Sequence, residues 1–216
     1  GLWKKWFGMI EKALCSCDGL GKRYGRLGVL SDCSFLVGKG ELVGLVGENG
    51  SGKSTLVKCL LKFTRPSKGI LSMTESVGYC PQDDYLNGQL TVHEHFALLR
   101  SVYSMRYSID ITYVDSLFDR LNIGPFLRTI IGNVSSGTYQ KVKLITALLH
   151  KPQLLLLDEP YDGFDWQMYL RFWDIIGELK ESNAGILMVS HLVYDFERFD
   201  RVYELSGGTL HDANRA

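Results

Sequence analysis

The run Gly47-Glu48-Asn49-Gly50-Ser51-Gly52-Lys53-Ser54, continued by Thr55, decides the reading of this chain. It fills the G-x-x-x-x-G-K-[ST] pattern of a phosphate-binding loop. Glu41 to Val46 ahead of it reads as a buried strand, and a helical run follows from near Lys53 to about Lys62. The glycines let the backbone turn so that successive N–H groups face inward, and the start of the following helix adds the positive end of its dipole. Both stabilise a bound phosphate. Lys53 can reach the β- and γ-phosphates of a nucleotide as a compact charge, Ser54 has a hydroxyl sized to ligate Mg²⁺, and Thr55 supports the α-phosphate end. A merely glycine-rich turn would need neither the flanking strand nor the helix.

The second run of the same kind is Leu154-Leu155-Leu156-Leu157-Asp158-Glu159-Pro160. Four leucines make a buried parallel strand, and the two carboxylates then fall beyond its carboxyl end, where open α/β sheets put their ligands. In this Walker B element Asp158 is expected to hold Mg²⁺ through water, because magnesium keeps much of its hydration shell. Glu159, one position on, is expected to act as general base or positioner for the water that attacks the γ-phosphate, a role worth roughly 10² to 10⁴ in rate. Alone, such a pair would read as an acidic helix cap after a strand.

Working outward, 216 residues with 45% hydrophobic composition can bury one substantial core, and one compact bilobed unit is expected. Lys plus Arg and Asp plus Glu balance at 24 each, so no global positive field argues for nucleic acid as a partner. Cys15, Cys17, Cys33, Cys59 and Cys80 form neither a disulfide framework nor a four-ligand zinc pattern, which suits a reducing cytosolic compartment. No apolar run approaches the roughly 18 to 20 residues of a spanning helix. A membrane path, if the chain serves one, is expected in another chain.

The sequence starts at Gly1 rather than Met, and no targeting signal is read from it. Trp3, Trp6, Phe7, Ile10 and Leu14 recur at helical spacing, with Lys4, Lys5, Glu11 and Lys12 largely elsewhere, so residues 1–18 are assigned to an amphipathic N-terminal segment. Docking on a membrane or partner and packing on its own domain are equally open readings of it. After a turn at Arg65 to Gly69, strand-like pieces stand at Ile70 to Met73 and Ser76 to Tyr79. From about Thr91 to His150 the pattern turns helical, with Leu90, Val92, Phe96 and Leu99 in one apolar stripe and Val114, Leu117, Phe118 and Leu121 in another. His93 and His95, two apart at a helix start with no ligand array around them, are read as surface residues. Strands and helices then alternate through Leu154 to Asp158, about Trp166 to Lys180, Gly185 to Ser190 and Arg201 to Leu205.

In this order the motifs resemble the nucleotide-binding domain of ABC transporters, over nearly the whole chain from about Tyr24 to Leu210. The resemblance implies an α/β fold: a P-loop NTPase core with a mostly parallel sheet, an antiparallel β subdomain and an inserted α-helical signature lobe. It places the ATPase domain at 19–216, with the helical subdomain at about 83–150. It also implies roles for four further residues. Tyr24 matches the aromatic that stacks on adenine, and Gln82, in Tyr79-Cys80-Pro81-Gln82, the glutamine that senses Mg²⁺ or the attacking water. Asp165, in Asp162-Gly163-Phe164-Asp165, matches the aspartate that contacts the opposing subunit, and His191, in Val189-Ser190-His191, the switch histidine at the γ-phosphate.

The signature motif departs from the family's pattern. Val134-Ser135-Ser136-Gly137-Thr138 stands where Leu-Ser-Gly-Gly-Gln is usual. Ser135 and Gly137 keep the hydroxyl and exposed N–H that, with the helix dipole, bind the γ-phosphate of ATP held by the opposite subunit; Ser136 replaces a glycine, and Thr138 loses the amide reach of glutamine. By resemblance the cofactors are ATP and Mg²⁺, and the partners are a transmembrane permease subunit and a second nucleotide-binding subunit in a homo- or heterodimer. Asp83, Asp84, Tyr85 and Leu86 are candidate contacts for the permease, which sets the chain on the cytoplasmic face of the membrane. The stretch Gly78 to Gln82 with Leu90-Thr91-Val92 looks more like the ATPases of exporters than of importers. The other readings are a soluble ABC-type ATPase acting on nucleic acid or ribosomes, and a hydrolysis-impaired half of a heterodimer. Against them stand the absence of a second cassette or basic arm in this sequence and the intact Lys53, Asp158, Glu159 and His191.

Overall fold

The structure is a computed structural model that describes residues 13–161, 163–191 and 196–213. Two sheets carry it. In the smaller, β1 (Cys15–Tyr24) pairs antiparallel with β2 (Leu27–Val37) on one side and β4 (Lys68–Met73) on the other. The larger has the order β5-β6-β7-β3-β8-β9, built from β3 (Leu42–Val46), β5 (Val77–Cys80), β6 (Leu154–Asp158), β7 (Gly185–Ser190), β8 (Arg201–Ser206) and β9 (Thr209–Asp212). All its neighbours run parallel except the β8-β9 hairpin. The expected mostly parallel core and antiparallel subdomain are thus present.

The two faces of β6 show why its sequence is continuously apolar. Leu155 and Leu157 enter one core with α4 (Ser136–Leu148) and α5 (Trp166–Glu181), while Leu154 and Leu156 enter the other, with α1 (Lys53–Leu60) and the antiparallel sheet. A strand covered on both faces has no polar side to alternate with. All four leucines are 0% exposed, and together their burial contributes on the order of 6 to 12 kcal/mol against leaving them in water.

The helical segment holds α2 (Val92–Tyr103), α3 (Ile111–Arg120) and α4, and each starts at a side-chain cap. Thr91 and Glu94 form a capping box on α2, Asp110 caps α3, and Ser135 caps α4. His95 corrects the surface reading of the histidine pair. It is 7% exposed, its Nε2 lies 2.9 Å from Thr146 Oγ1 on α4, and burial lowers its pKa. Thr146 on the facing helix gives the ring a polar partner at what is a core position, where the spacing presented a polar face. His93 is exposed as expected.

Element ends moved by a few residues. α1 stops at Leu60 rather than Lys62, whose φ of 61° is left-handed, and the first strand of the β3 region starts at Leu42. The expected amphipathic segment at 1–18 lies largely outside the described residues. Cys15 to Asp18 of that range are part of β1, and Leu14 is buried in the core beneath the antiparallel sheet. All five cysteines are free and buried. Among the described residues no helix is long and apolar enough to cross a membrane.

Candidate functional site

The loop from Gly47 to Gly52 leaves the end of β3 and delivers Lys53 at the first position of α1. Gly52 is the residue before that helix, at φ 110°, and a Cβ there would stand 2.9 Å from Leu30 Cδ2, so both backbone and packing demand glycine. Lys53 Nζ donates to the carbonyls of Gly47, at 2.5 Å, and Glu48, at 3.0 Å. The ammonium is therefore folded over the loop's own interior, where a phosphate would draw it outward. Ser51 Oγ is buried and has no hydrogen-bond partner among the described residues.

Beside this loop is a cavity of about 350 Å³ lined by Val29, Asn49, Gly50, Gly52, Lys53, Ser54, Thr55, Gln82, Asp158, Glu159 and His191. Residues more than 140 positions apart in sequence meet here because β3, β6 and β7 are parallel and all end on one side. Asp158 ends β6 and is 8% exposed. Burial first, then the adjacent Glu159 carboxylate, pushes its pKa up to about 6, with Lys53 pulling the other way.

Glu159 is held differently. Its backbone sits at φ 48°, a left-handed position, with its N–H donating to Val189 O at 2.9 Å. One carboxylate oxygen accepts from Ser190 Oγ at 2.8 Å; the other accepts from His191 N at 2.6 Å and lies 2.7 Å from His191 Nδ1. Both neighbouring carboxylates are buried, Asp158 at 8% and Glu159 at 5% exposure, and that of Glu159 is fixed by the end of β7.

Ten of the expected site residues line the cavity: Asn49, Gly50, Gly52, Lys53, Ser54, Thr55, Gln82, Asp158, Glu159 and His191. Glu48 and Ser51 line a neighbouring cavity, together with Asn49, Gly50 and the Gly207-Gly208 turn. Gly47 sits beneath the loop, where a Cβ would meet Leu205 O at 2.4 Å. Tyr24 is not in the cavity; it is 48% exposed at the end of β1, with Lys22 Nζ 4.8 Å from its ring centroid.

Ser135 and Gly137 are likewise absent from the lining, at the start of α4. Ser135 Oγ accepts from Thr138 N and donates to Thr138 Oγ1 at 3.0 Å, so the threonine in place of glutamine serves as the cap's own partner. A Cβ on Gly137 would stand 2.9 Å from Gly163 O, which puts the signature start against the loop before Asp165. Asp165 itself caps α5. Sequence reasoning missed Val29, which lies in β2, a strand that the sequence did not announce, and Ser190, whose hydroxyl was visible beside His191 but had no spacing to reveal its bond to Glu159.

Residues 30–162 match the family model described as ABC transporter. The "Uncharacterized ABC transporter ATP-binding protein YthP" of Bacillus subtilis (strain 168) is 35% identical over 187 residues, covering 86% of this chain and 79% of the relative. The "ABC-type organic anion transporter ABCA8A" of Mus musculus is 34% identical over 187 residues, covering 82% of this chain but 12% of the relative. The chain therefore spans most of the first relative and a small part of the second. Among solved structures, one titled "Structure of ATP binding subunit of ABC transporter" superposes with a TM-score of 0.84 at 27% identity, covering 94% of this chain and 91% of that one.

Proposed function

Because this chain belongs to the ABC transporter family, whose members are generally ATP-hydrolysing, we propose that it binds Mg-ATP and hydrolyses it to drive a separate transmembrane subunit, in the export direction. The observation that carries the reading is the convergence of Lys53, Ser54, Gln82, Asp158, Glu159 and His191 on one cavity.

The backbone N–H groups of the loop and the start of α1 bind phosphate, and Lys53 leaves its carbonyl contacts to take up the charge of the β- and γ-phosphates. Glu159, oriented by Ser190 and His191, accepts a proton from the water that attacks the γ-phosphate. The residues present fit Mg²⁺. Ser54, Asp158 and Gln82 offer oxygen donors, and no group of three or more His, Cys, Asp or Glu forms a dedicated metal cage among the described residues. Bound there, the ion supplies charge neutralisation on the phosphates.

Ser135 and Gly137 stand outside their own chain's cavity, which supports a composite site in which they face the nucleotide of a second cassette. The exposed Asp83, Asp84 and Tyr85, which follow Gln82, are the proposed seat for the permease, and the chain then works at the cytoplasmic face of the membrane. Phosphate release from Mg-ATP by the purified chain tests the reading. Lys53→Ala is expected to lose nucleotide binding and to cut turnover by roughly 10²-fold or more. A wild-type chain that binds no ATP would contradict it.

A further inference from the structure

α4 carries a buried charge that makes no direct contact with the two carboxylates of the site, although it acts on Asp158 from a distance and draws its pKa down. Lys143 is 1% exposed, on a helix whose other buried positions include Val142, Leu144, Ile145 and Leu148. Among the described residues no ion pair joins it to a carboxylate. Its Nζ donates to the main-chain oxygen of Gln82 at 2.9 Å and lies 5.9 Å from the Tyr139 ring centroid. Taking an ammonium out of water is costly, and a leucine or methionine would fill the same space without that cost. What the lysine adds is a hold on one particular carbonyl, together with a positive charge felt by Asp158; only the first acts through Gln82, and the double variant below separates the two.

Its neighbours on the helix act on the same two segments. Tyr139, one turn earlier, accepts from Leu86 N through its hydroxyl at 2.9 Å. Gln140 Nε2 donates to Pro160 O at 2.9 Å, just past Asp158 and Glu159. One helix thus grips both the loop that bears Gln82 and the loop that follows the two carboxylates.

We propose that Lys143 is a positioning residue: by holding the Gln82 carbonyl it fixes where the Gln82 side chain enters the cavity, and so sets the Mg²⁺ affinity of the site. The proposal rests on Gln82 serving the metal, as in the function proposed above. It also ties α4, whose first residues face a second cassette in that reading, to the metal side of its own cavity.

Lys143→Met keeps the side chain's length and removes the ammonium. Replacing a buried charge by an apolar group of similar volume is often neutral or stabilising, so an unchanged or higher thermal midpoint is expected. Binding of a fluorescent ATP analogue without Mg²⁺ should match wild type, because no named contact joins Lys143 to the phosphate loop. The Mg²⁺ concentration that half-saturates the enhancement of binding should rise by about tenfold, the scale on which outer partners of metal ligands act. Gln82→Ala should raise it too, and the double variant no further than Gln82→Ala alone. Tyr139→Phe removes only the hydroxyl that accepts from Leu86 N, and should shift the midpoint in the same direction by less.

An unchanged Mg²⁺ midpoint in Lys143→Met, or fully additive effects in the double variant, overturns the proposal. If Lys143→Met does not fold, Tyr139→Phe decides, and an unshifted midpoint there overturns it. A wild-type midpoint in Gln82→Ala overturns it by a different route, through the metal role of Gln82, and so is told apart from a failure of Lys143. The readout is binding, so a chain that binds Mg-ATP without hydrolysing it still decides the matter.

Discussion

Asp158 and Glu159 are adjacent in sequence, yet the fold gives them different surroundings, in keeping with the different tasks proposed for them. Glu159 has both oxygens engaged by Ser190 and His191, at the cost of a left-handed backbone worth on the order of 1 to 3 kcal/mol. Asp158 is buried and carries a pKa of about 6, above its ordinary 3.8. A carboxyl raised in the folded state costs stability above that value and gives it back as pH falls, so acidification through 6 does not unfold the chain through this group. What acidification removes is the charge that a cation needs. The half-saturating Mg²⁺ for nucleotide binding is therefore expected to rise about tenfold per pH unit below about 6. A flat dependence down to about pH 5 would contradict the assignment of Asp158 to the metal. At this scale the motif residues were legible because each has a fixed neighbour in sequence. Lys143 and His95 were not, since a charged or polar residue on a helix reads as solvent-facing until the tertiary partner, Gln82 O or Thr146, is known.

Between elements, α4 and the strands beside it are packed backbone to backbone. A Cβ on Gly78 of β5 would stand 2.1 Å from Ala147 O and 2.8 Å from Pro152 Cγ, so the strand carrying the chain toward Gln82 can approach α4 only with glycine there. Gly78→Ala is expected to destabilise the chain by about 1 to 3 kcal/mol, read from the urea unfolding midpoint. An unshifted midpoint would mean that β5 and α4 are free to move apart. The strands of the parallel sheet were readable to within a residue or two because runs such as Leu154 to Leu157 and Gly185 to Ser190 are buried on both faces, whereas β1, β2 and β9, with no such run, were not read as strands. Helix ends were less so. α1 gives way to the left-handed Lys62 through backbone bonds to Cys59 and Lys58, a stop that carries no glycine or proline to announce it.

For the whole molecule, the order of motifs along the chain foretold the parallel sheet, the antiparallel sheet and the helices between β5 and β6. Tyr24, like Ser135 and Gly137, lies outside the cavity that Lys53, Asp158, Glu159 and His191 share. Strand order within the sheet decides which loops meet, and no local pattern states it. Ser135 and Gly137 stand apart from the cavity while Lys53 through Thr55, Asp158, Glu159 and His191 line it, and in the proposed composite site the two groups are the separate halves that one chain offers. The central claim is that two such chains complete each other around ATP. Glu159→Gln removes the proposed base and leaves the phosphate loop intact, so nucleotide should be retained and turnover should fall by roughly 10² to 10⁴. The most direct measurement is the mass of this variant in solution with and without Mg-ATP. A shift from one chain to two on adding nucleotide is predicted; a variant that binds Mg-ATP at saturation and stays a monomer would contradict a site shared between two copies of this chain.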